Sequence, residues 1–342
     1  MGILDLHVDS IIQQRLFGYD LRKKHRRGIG GQPLFWHADI PRMIEAGYSG
    51  ACLGVHYWPV EREGGWRELK KQIAYLDALS EADERVERVW GAGGWAATEE
   101  GAGRLGLGPG VEGAHMLNGK IERVRELAEY GVGYLTLTHF SANSAATPSM
   151  GRGANERDGL TAFGRRLVEE LNRYGVVVDL AHVNNPCVLD ACAVSQAPVM
   201  CTHTGAKGVF EHPRNISDRA IDAIAKTGGV MGVIFAPRYL SGRWRATSEV
   251  ALDHLDYFVK RVGVEHVALG SDYDGWLPTI LADHHDCRDI QTMIEGMRQR
   301  GYSDEAIAKI SEGNARRVFG EVARRASEAP VREMSASEAP GG

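Results

Sequence analysis

His7 and Asp9 sit two positions apart in the apolar opening run Ile3-Leu4-Asp5-Leu6-His7-Val8-Asp9. In an extended strand, residues i and i+2 share a face, so this spacing aims an imidazole and a carboxylate at one point. Such a pair can hold a divalent metal, or be no more than two solvated polar groups at a strand end. Further apolar runs also end in a histidine or an acid: Glu112, His139, His182, His203, and the pair Asp272 and Asp274. Neutral imidazoles and carboxylates are the donors that suit zinc and related divalent ions. One Asp and three His can serve two ions if Glu112 bridges them, and ions about 3.5–4 Å apart hold a shared water as hydroxide near neutral pH. That is hydrolytic chemistry. Asp272 would then exchange protons between nucleophile and leaving group, which asks for a carboxylate beside the metals rather than bound to them.

The elements that must position these residues alternate along the chain. After the opening strand comes a long polar loop, then a short helix with Asp39 as its cap, Pro41 in its first turn and Gly47 at its end. Residues 50–57, 107–113, 134–138, 176–181, 198–202, 229–235 and 266–270 read as further strands, and 66–88, 119–130, 160–174, 187–194, 217–227 and 248–262 as helices. Residues 91–105 are Gly/Ala-rich and left unassigned, and 286–320 adds helix. Eight strand–helix units whose strands are apolar on both faces predict an α/β fold, a (β/α)8 TIM-like barrel of the metal-dependent hydrolase type. In that fold functional residues gather at the carboxyl ends of the strands, a rule not used to find the strands. His7 and Asp9 end the first, Glu112 the third, His139 the fourth, His182 the fifth, His203 the sixth, and Asp272 and Asp274 the eighth. The other histidines (His25, His37, His56, His115, His212, His254, His266, His284 and His285) are assigned to the surface or the edge of the core.

At 342 residues, with Gly and Pro spread evenly, the chain reads as one domain over 1–322, followed by a Ser/Ala/Glu/Pro-rich disordered tail at 323–342. The formal charge of −5 excludes a general nucleic-acid binder. The basic run Arg-Lys-Lys-His-Arg-Arg at 22–27 is a loop feature. No apolar stretch approaches the roughly 20 residues of a membrane helix, and the amino terminus lacks a signal peptide's plan, so a soluble, cytoplasmic protein is expected. Five cysteines, an odd number without Cys-x-x-Cys spacing, suggest neither a disulfide framework nor a cysteine zinc site.

The motifs around these residues resemble those of the renal (membrane) dipeptidase family of zinc peptidases, family M19. They are Asp5-Leu-His-Val-Asp9, Val111-Glu-Gly113, Leu135-Thr-Leu-Thr-His139, Gly159-Leu-Thr-Ala-Phe-Gly164, Asp179-Leu-Ala-His182, Thr202-His-Thr204, His212-Pro-Arg-Asn215, Gly270-Ser-Asp-Tyr-Asp-Gly275 and Asn314-Ala-Arg-Arg-Val-Phe319. They run in order over residues 3–320 and are jointly specific. The resemblance implies a barrel holding two Zn2+ or other divalent ions, a small dipeptide-like substrate including those with a carboxyl-terminal D-residue, and a homodimer. His7 and Asp9 would hold one ion, His182 and His203 the other, with Glu112 bridging. His139 would stabilise the oxyanion, and Arg214, helped by Tyr239, would pair with the substrate's free carboxylate. Asp272 would be the acid/base and contact the amino group. The family often has Ser-His-Ser where this chain has Thr202-His203-Thr204. The basic loop at 22–27 and a segment at 143–158 follow strands and should overlie the active-site mouth, the loop favouring acidic substrates. An amidase of the same site acting on a non-peptide amide or β-lactam is the alternative. Mononuclear deaminases, with His-x-His on the first strand, fit less well, and no ligand is lost as in an inactive binding module.

Overall fold

The computed structural model describes residues 2–31, 36–97, 103–275 and 280–328. Among the described residues ten strands follow one another: β1 (Ile3–Val8), β2 (Tyr48–Val55), β3 (Val86–Arg88), β4 (Leu105–Glu112), β5 (Tyr134–Thr136), β6 (Val177–Asp179), β7 (Met200–Ala206), β8 (Asn215–Ile216), β9 (Val230–Val233) and β10 (Val267–Leu269). Eight of them run side by side in the order β1-β2-β4-β5-β6-β7-β9-β10, every pairing parallel, while β3 adds to β4 and β8 to β7. Residues beyond the strand ends close the ring: Asp9 N donates to Tyr273 O (2.8 Å) and Asp272 N to His7 O (3.0 Å). The expected eight-stranded α/β barrel is therefore present, nearly closed, and candidate site residues themselves join its seam.

The eight barrel strands are buried at every residue but Ser49 because both faces are covered, helices outside and side chains within. Near their amino-terminal ends, Leu4, Leu6, Cys52, Tyr134, Val177, Met200, Val230 and Ala268 form one apolar cluster with Val318, Phe319 and Val322 of the helix Asn314–Glu328. Trp95, on the helix Gly91–Ala97, stacks on Phe319 with ring centres 5.7 Å apart. This apolar plug closes one end of the barrel and leaves the carboxyl ends of the strands for chemistry.

Several expectations need correction. The polar loop expected after β1 begins as a helix, Ser10–Phe17, anchored by buried Ile11 and Ile12 and ended by left-handed Gly18. The helix expected over 66–88 ends at Ala82 and gives way to β3. The boundary drawn at 323 falls inside the helix Asn314–Glu328, and 329–342 lie outside the described residues. His37, His115, His254 and His284 are buried rather than at the surface or core edge. The cap by Asp39 is as expected: its side chain accepts from Arg42 N, with Pro in the first turn. Among the described residues, no helix is long and apolar enough to cross a membrane.

Candidate active site

Six barrel strands deliver the chemistry at one rim. His7 lies near the end of β1, and Asp9 stands just before the helix that follows, with no side-chain bond to its first turn. Glu112 ends β4, His203 lies within β7, and His139, His182 and Asp272 follow β5, β6 and β10. Arg214 precedes β8, and Tyr239 lies on the helix Pro237–Ser241 after β9. His182 (φ 66°) and Asp272 (φ 59°) hold left-handed backbone without being glycine. Such strain costs of order 1–3 kcal/mol per residue and persists where the surroundings dictate it, commonly at functional sites.

Glu112 is the hub. Its Oε1 lies 2.9 Å from His182 Nε2 and 3.5 Å from both His7 Nε2 and His203 Nε2, and its Oε2 lies 3.5 Å from His139 Nε2. His7 Nε2 is 3.3 Å from Asp9 Oδ1, and His182 Nε2 is 2.9 Å from His203 Nε2. Arg214 Nη2, always a donor, faces His182 Nε2 at 3.2 Å, which assigns that nitrogen a lone pair. Burial holds the imidazoles of His139, His182 and His203 well below their ordinary pKa, so they stay neutral. Burial also lifts Glu112 well above the carboxylate range, with Asp9 and Asp272 adding repulsion, and lifts Asp272 to about 8, again with Asp9. Lone pairs and acids this close call for cations among them. Three overlapping sets of donors lie within 4.8 Å of one another: His7, Glu112 and His203; Glu112, His139 and His182; His7, Asp9 and Asp272. Among the described residues, His7 Nε2 and Asp9 Oδ1 are buried without a hydrogen-bond partner. The residues fit a divalent metal.

The shell behind them sets tautomers. Thr202 Oγ1 donates to Asp179 Oδ2 (3.0 Å), leaving its oxygen to accept from His203 Nδ1 (3.0 Å) and freeing Nε2 for the site. Asp179 also accepts from Thr202 N and Ala181 N, bracing the turn to His182. Thr204 Oγ1 donates to Arg214 O (2.9 Å), so each threonine beside His203 has a task that a serine hydroxyl could also perform. The Arg214 guanidinium lies 5.9 Å from the Tyr239 ring centre.

A cavity of about 390 Å³ opens on this centre, lined by Glu112, His139, His182, Tyr239 and Asp272 and by Ile12, Arg15, Leu16, His56, Tyr57, Trp58, Pro59, Phe140 and Gly275. Of the expected residues, His7, Asp9, His203 and Arg214 are buried behind this lining rather than part of it, and Asp274 is turned away: buried, it accepts from Ser10 Oγ (2.5 Å) and His37 N (2.8 Å) and ties the chain after β10 to the amino-terminal region. His56, assigned above to the surface or core edge, does line it; it follows β2 directly, at a strand end. Ile12, Arg15 and Leu16 share a face at helical spacing, a signal that the flanking polar residues mask in the sequence.

The basic loop does not overlie the mouth. Arg22 pairs with Asp20 (3.0 Å), Lys24 with Glu45 (2.5 Å), His25 with Asp39 (3.2 Å), and Arg27 with Asp289. Glu45 lies just before β2 begins, so the loop reaches the opposite end of the barrel at Lys24, and most of its charges are paired. The segment 143–158 does reach the rim, where Ser149 N donates to His182 O (2.7 Å).

Comparison with known proteins bears on the family and the fold. The profile described as membrane dipeptidase (peptidase family M19) matches residues 1–333. Dipeptidase tcpJ of Claviceps purpurea (strain 20.1) is 35% identical over 306 residues, covering 84% of this chain and 70% of that protein. A metallopeptidase from Rhodobacter sphaeroides, solved with a phosphinate mimic of the dipeptide L-Ala-D-Ala, superposes with a TM-score of 0.82 at 23% identity, over 94% of this chain and 99% of that one. The probable dipeptidase PvdM from Pseudomonas aeruginosa does so with a TM-score of 0.82 at 21% identity, over 95% and 96%. At these identities the two structures bear on the fold.

Proposed function

Because the chain belongs to the membrane dipeptidase family, peptidase family M19, and is a metallopeptidase of the dipeptidase type, we propose that it cleaves free dipeptides at a centre of two divalent ions, zinc or a similar metal. The observation that carries this reading is the convergence of four imidazoles on the single carboxylate of Glu112. His7 and Asp9 would hold one ion, His182 and His203 the other, and Glu112 both. Bound there, the ions supply an acidified water and a Lewis acid for the scissile carbonyl.

The chain's own residues do the rest. Arg214 pairs with the substrate's free carboxylate, and Tyr239 packs beside it. His139, 12% exposed at the cavity wall, donates to the carbonyl oxygen as negative charge develops there. Asp272 lines the cavity beside Glu112 and is a carboxylate assigned to neither ion, placed to move a proton. It takes the proton of the attacking water as the new C–O bond forms and passes it to the amine nitrogen as the C–N bond breaks. Because a structural neighbour was solved with a mimic of L-Ala-D-Ala, dipeptides with a carboxyl-terminal D-residue are included in the proposal.

The test is hydrolysis of L-L and L-D dipeptides by zinc-loaded protein, beside their amino-acetylated copies and Glu112→Ala, with metal content measured in each. Turnover of free dipeptides only, lost in the variant together with bound metal, is the expected result. Two metals with no dipeptide turnover would move the assignment to a non-peptide amide. A homodimer and a cytoplasmic location remain part of the proposal, tested by sedimentation equilibrium and cell fractionation.

A further inference from the structure

Among the described residues of the cavity wall, Arg15 is a cation that the reaction above does not use. It lies on the helix Ser10–Phe17, where its Nη1 donates to His56 O (3.1 Å) and its guanidinium sits 5.6 Å from the Tyr57 ring centre. Its buried Nε has no hydrogen-bond partner among the described residues, and no carboxylate there forms an ion pair with it. The acids nearest in effect are Glu68 and Asp9. Glu68 is held by Lys71 at 2.8 Å, and Asp9 belongs to the metal centre.

Position decides what Arg15 can meet. Arg214 stands on the His182 side of Glu112, whereas Arg15 stands on the side of Asp9 and His56. A dipeptide with its carboxylate on Arg214 therefore extends its amino-terminal residue toward Arg15. Ile12, Leu16 and Trp58 flank that end with apolar surface suited to a short methylene stem. A purely apolar side chain would cover Arg15 and leave its donors unmatched, and a basic one would be repelled; an acidic one satisfies both charge and hydrogen bonding.

We infer that Arg15 selects dipeptides whose amino-terminal residue carries a carboxylate side chain, an assignment that rests on the dipeptidase reading above. The test compares kcat/KM of the zinc-loaded protein for L-Glu-L-Ala, the isosteric L-Gln-L-Ala and L-Lys-L-Ala. A charge-assisted hydrogen bond leads us to expect a Glu-over-Gln ratio of about tenfold or more, with Lys poorest. Arg15→Gln should bring the ratio close to one, Arg15→Lys should keep part of it, and Arg15→Glu should turn the preference toward Lys. L-Ala-L-Glu against L-Ala-L-Gln should show no shift that depends on Arg15. A wild-type ratio near one, a ratio that survives Arg15→Gln, or an equal loss of all rates in both Arg15→Gln and Arg15→Lys would overturn the inference. Turnover of L-Gln-L-Ala without preference would sink this inference alone, whereas no turnover of any dipeptide would sink it together with the dipeptidase reading.

Discussion

Tyr134 reaches the candidate metal centre because its neighbour in the sheet has no side chain. Gly110 of β4 pairs with Tyr134 of β5, and a Cβ at Gly110 would lie 2.0 Å from Tyr134 Cζ. The ring fills that space and places its Oη 2.6 Å from His7 Nδ1. An Nδ1–H donated to Tyr134 leaves His7 Nε2 free to ligate, the outer-shell arrangement usual for metal-bound histidine. Tyr134→Phe should therefore weaken zinc binding by roughly 10–100-fold while leaving the fold intact. Titration against a competing chelator, beside circular dichroism, would check this, and unchanged affinity would reduce Tyr134 to a packing residue. At this scale the candidate donors were legible because each is a chemically distinctive side chain at the end of an apolar run. Tyr134 was not, since a tyrosine opening a strand looks like any core aromatic.

Among the elements, the β1 turn does what strand periodicity alone does not. Alternation predicts His7 and Asp9 on one face, but β1 ends at Val8, and Asp9 has φ −95° and ψ 21° at the start of the next helix. Pairing of β1 with β2 shifts register between Asp5 and Val8. The two side chains still meet, at 3.3 Å, because β2 leaves room: a Cβ on Gly54 would lie 1.8 Å from Asp9 Oδ1. Gly54→Ala should push Asp9 out of place and lower the metal bound per subunit, with β2 and the secondary structure retained. Metal analysis and far-UV circular dichroism would test it, and full metal content in the variant would show that Asp9 is dispensable. The same helix carries Ile12, Arg15 and Leu16 to the cavity, and its charged and amide residues hid it as a loop.

For the whole molecule, pH acts through buried histidines outside the metal centre. His284 joins separate elements: its Nδ1 lies 2.6 Å from Tyr273 Oη and its Nε2 2.8 Å from Thr292 Oγ1. Burial holds its pKa down at about 4, against 6.5 for an ordinary histidine. The native state thus binds fewer protons than the unfolded chain between those values, so the contribution of His284 is complete above pH 6.5 and fades as pH falls toward 4. His56 and His212, also held down to about 4 by burial, act in the same direction. His284→Gln should flatten the fall in denaturation midpoint between pH 6.5 and 4 relative to wild type. Parallel slopes for the two proteins would show that His284 does not report on folding in this range.

From the sequence alone came the barrel, its carboxyl-terminal rim and the identities of the candidate donors, because strand burial follows from local apolar runs and the rim rule depends only on where those runs stop. Tertiary structure decided what depends on residues far apart in the chain. It turned Asp274 away from the cavity into a clasp on Ser10 and His37, and it paired the basic loop with acids such as Glu45 and Asp289, away from the mouth. It also set Arg15, rather than that loop, in the cavity wall. Charge in a sequence says what a loop can bind; only the packed fold says which partner it meets first, because pairing between distant segments is governed by distance in space.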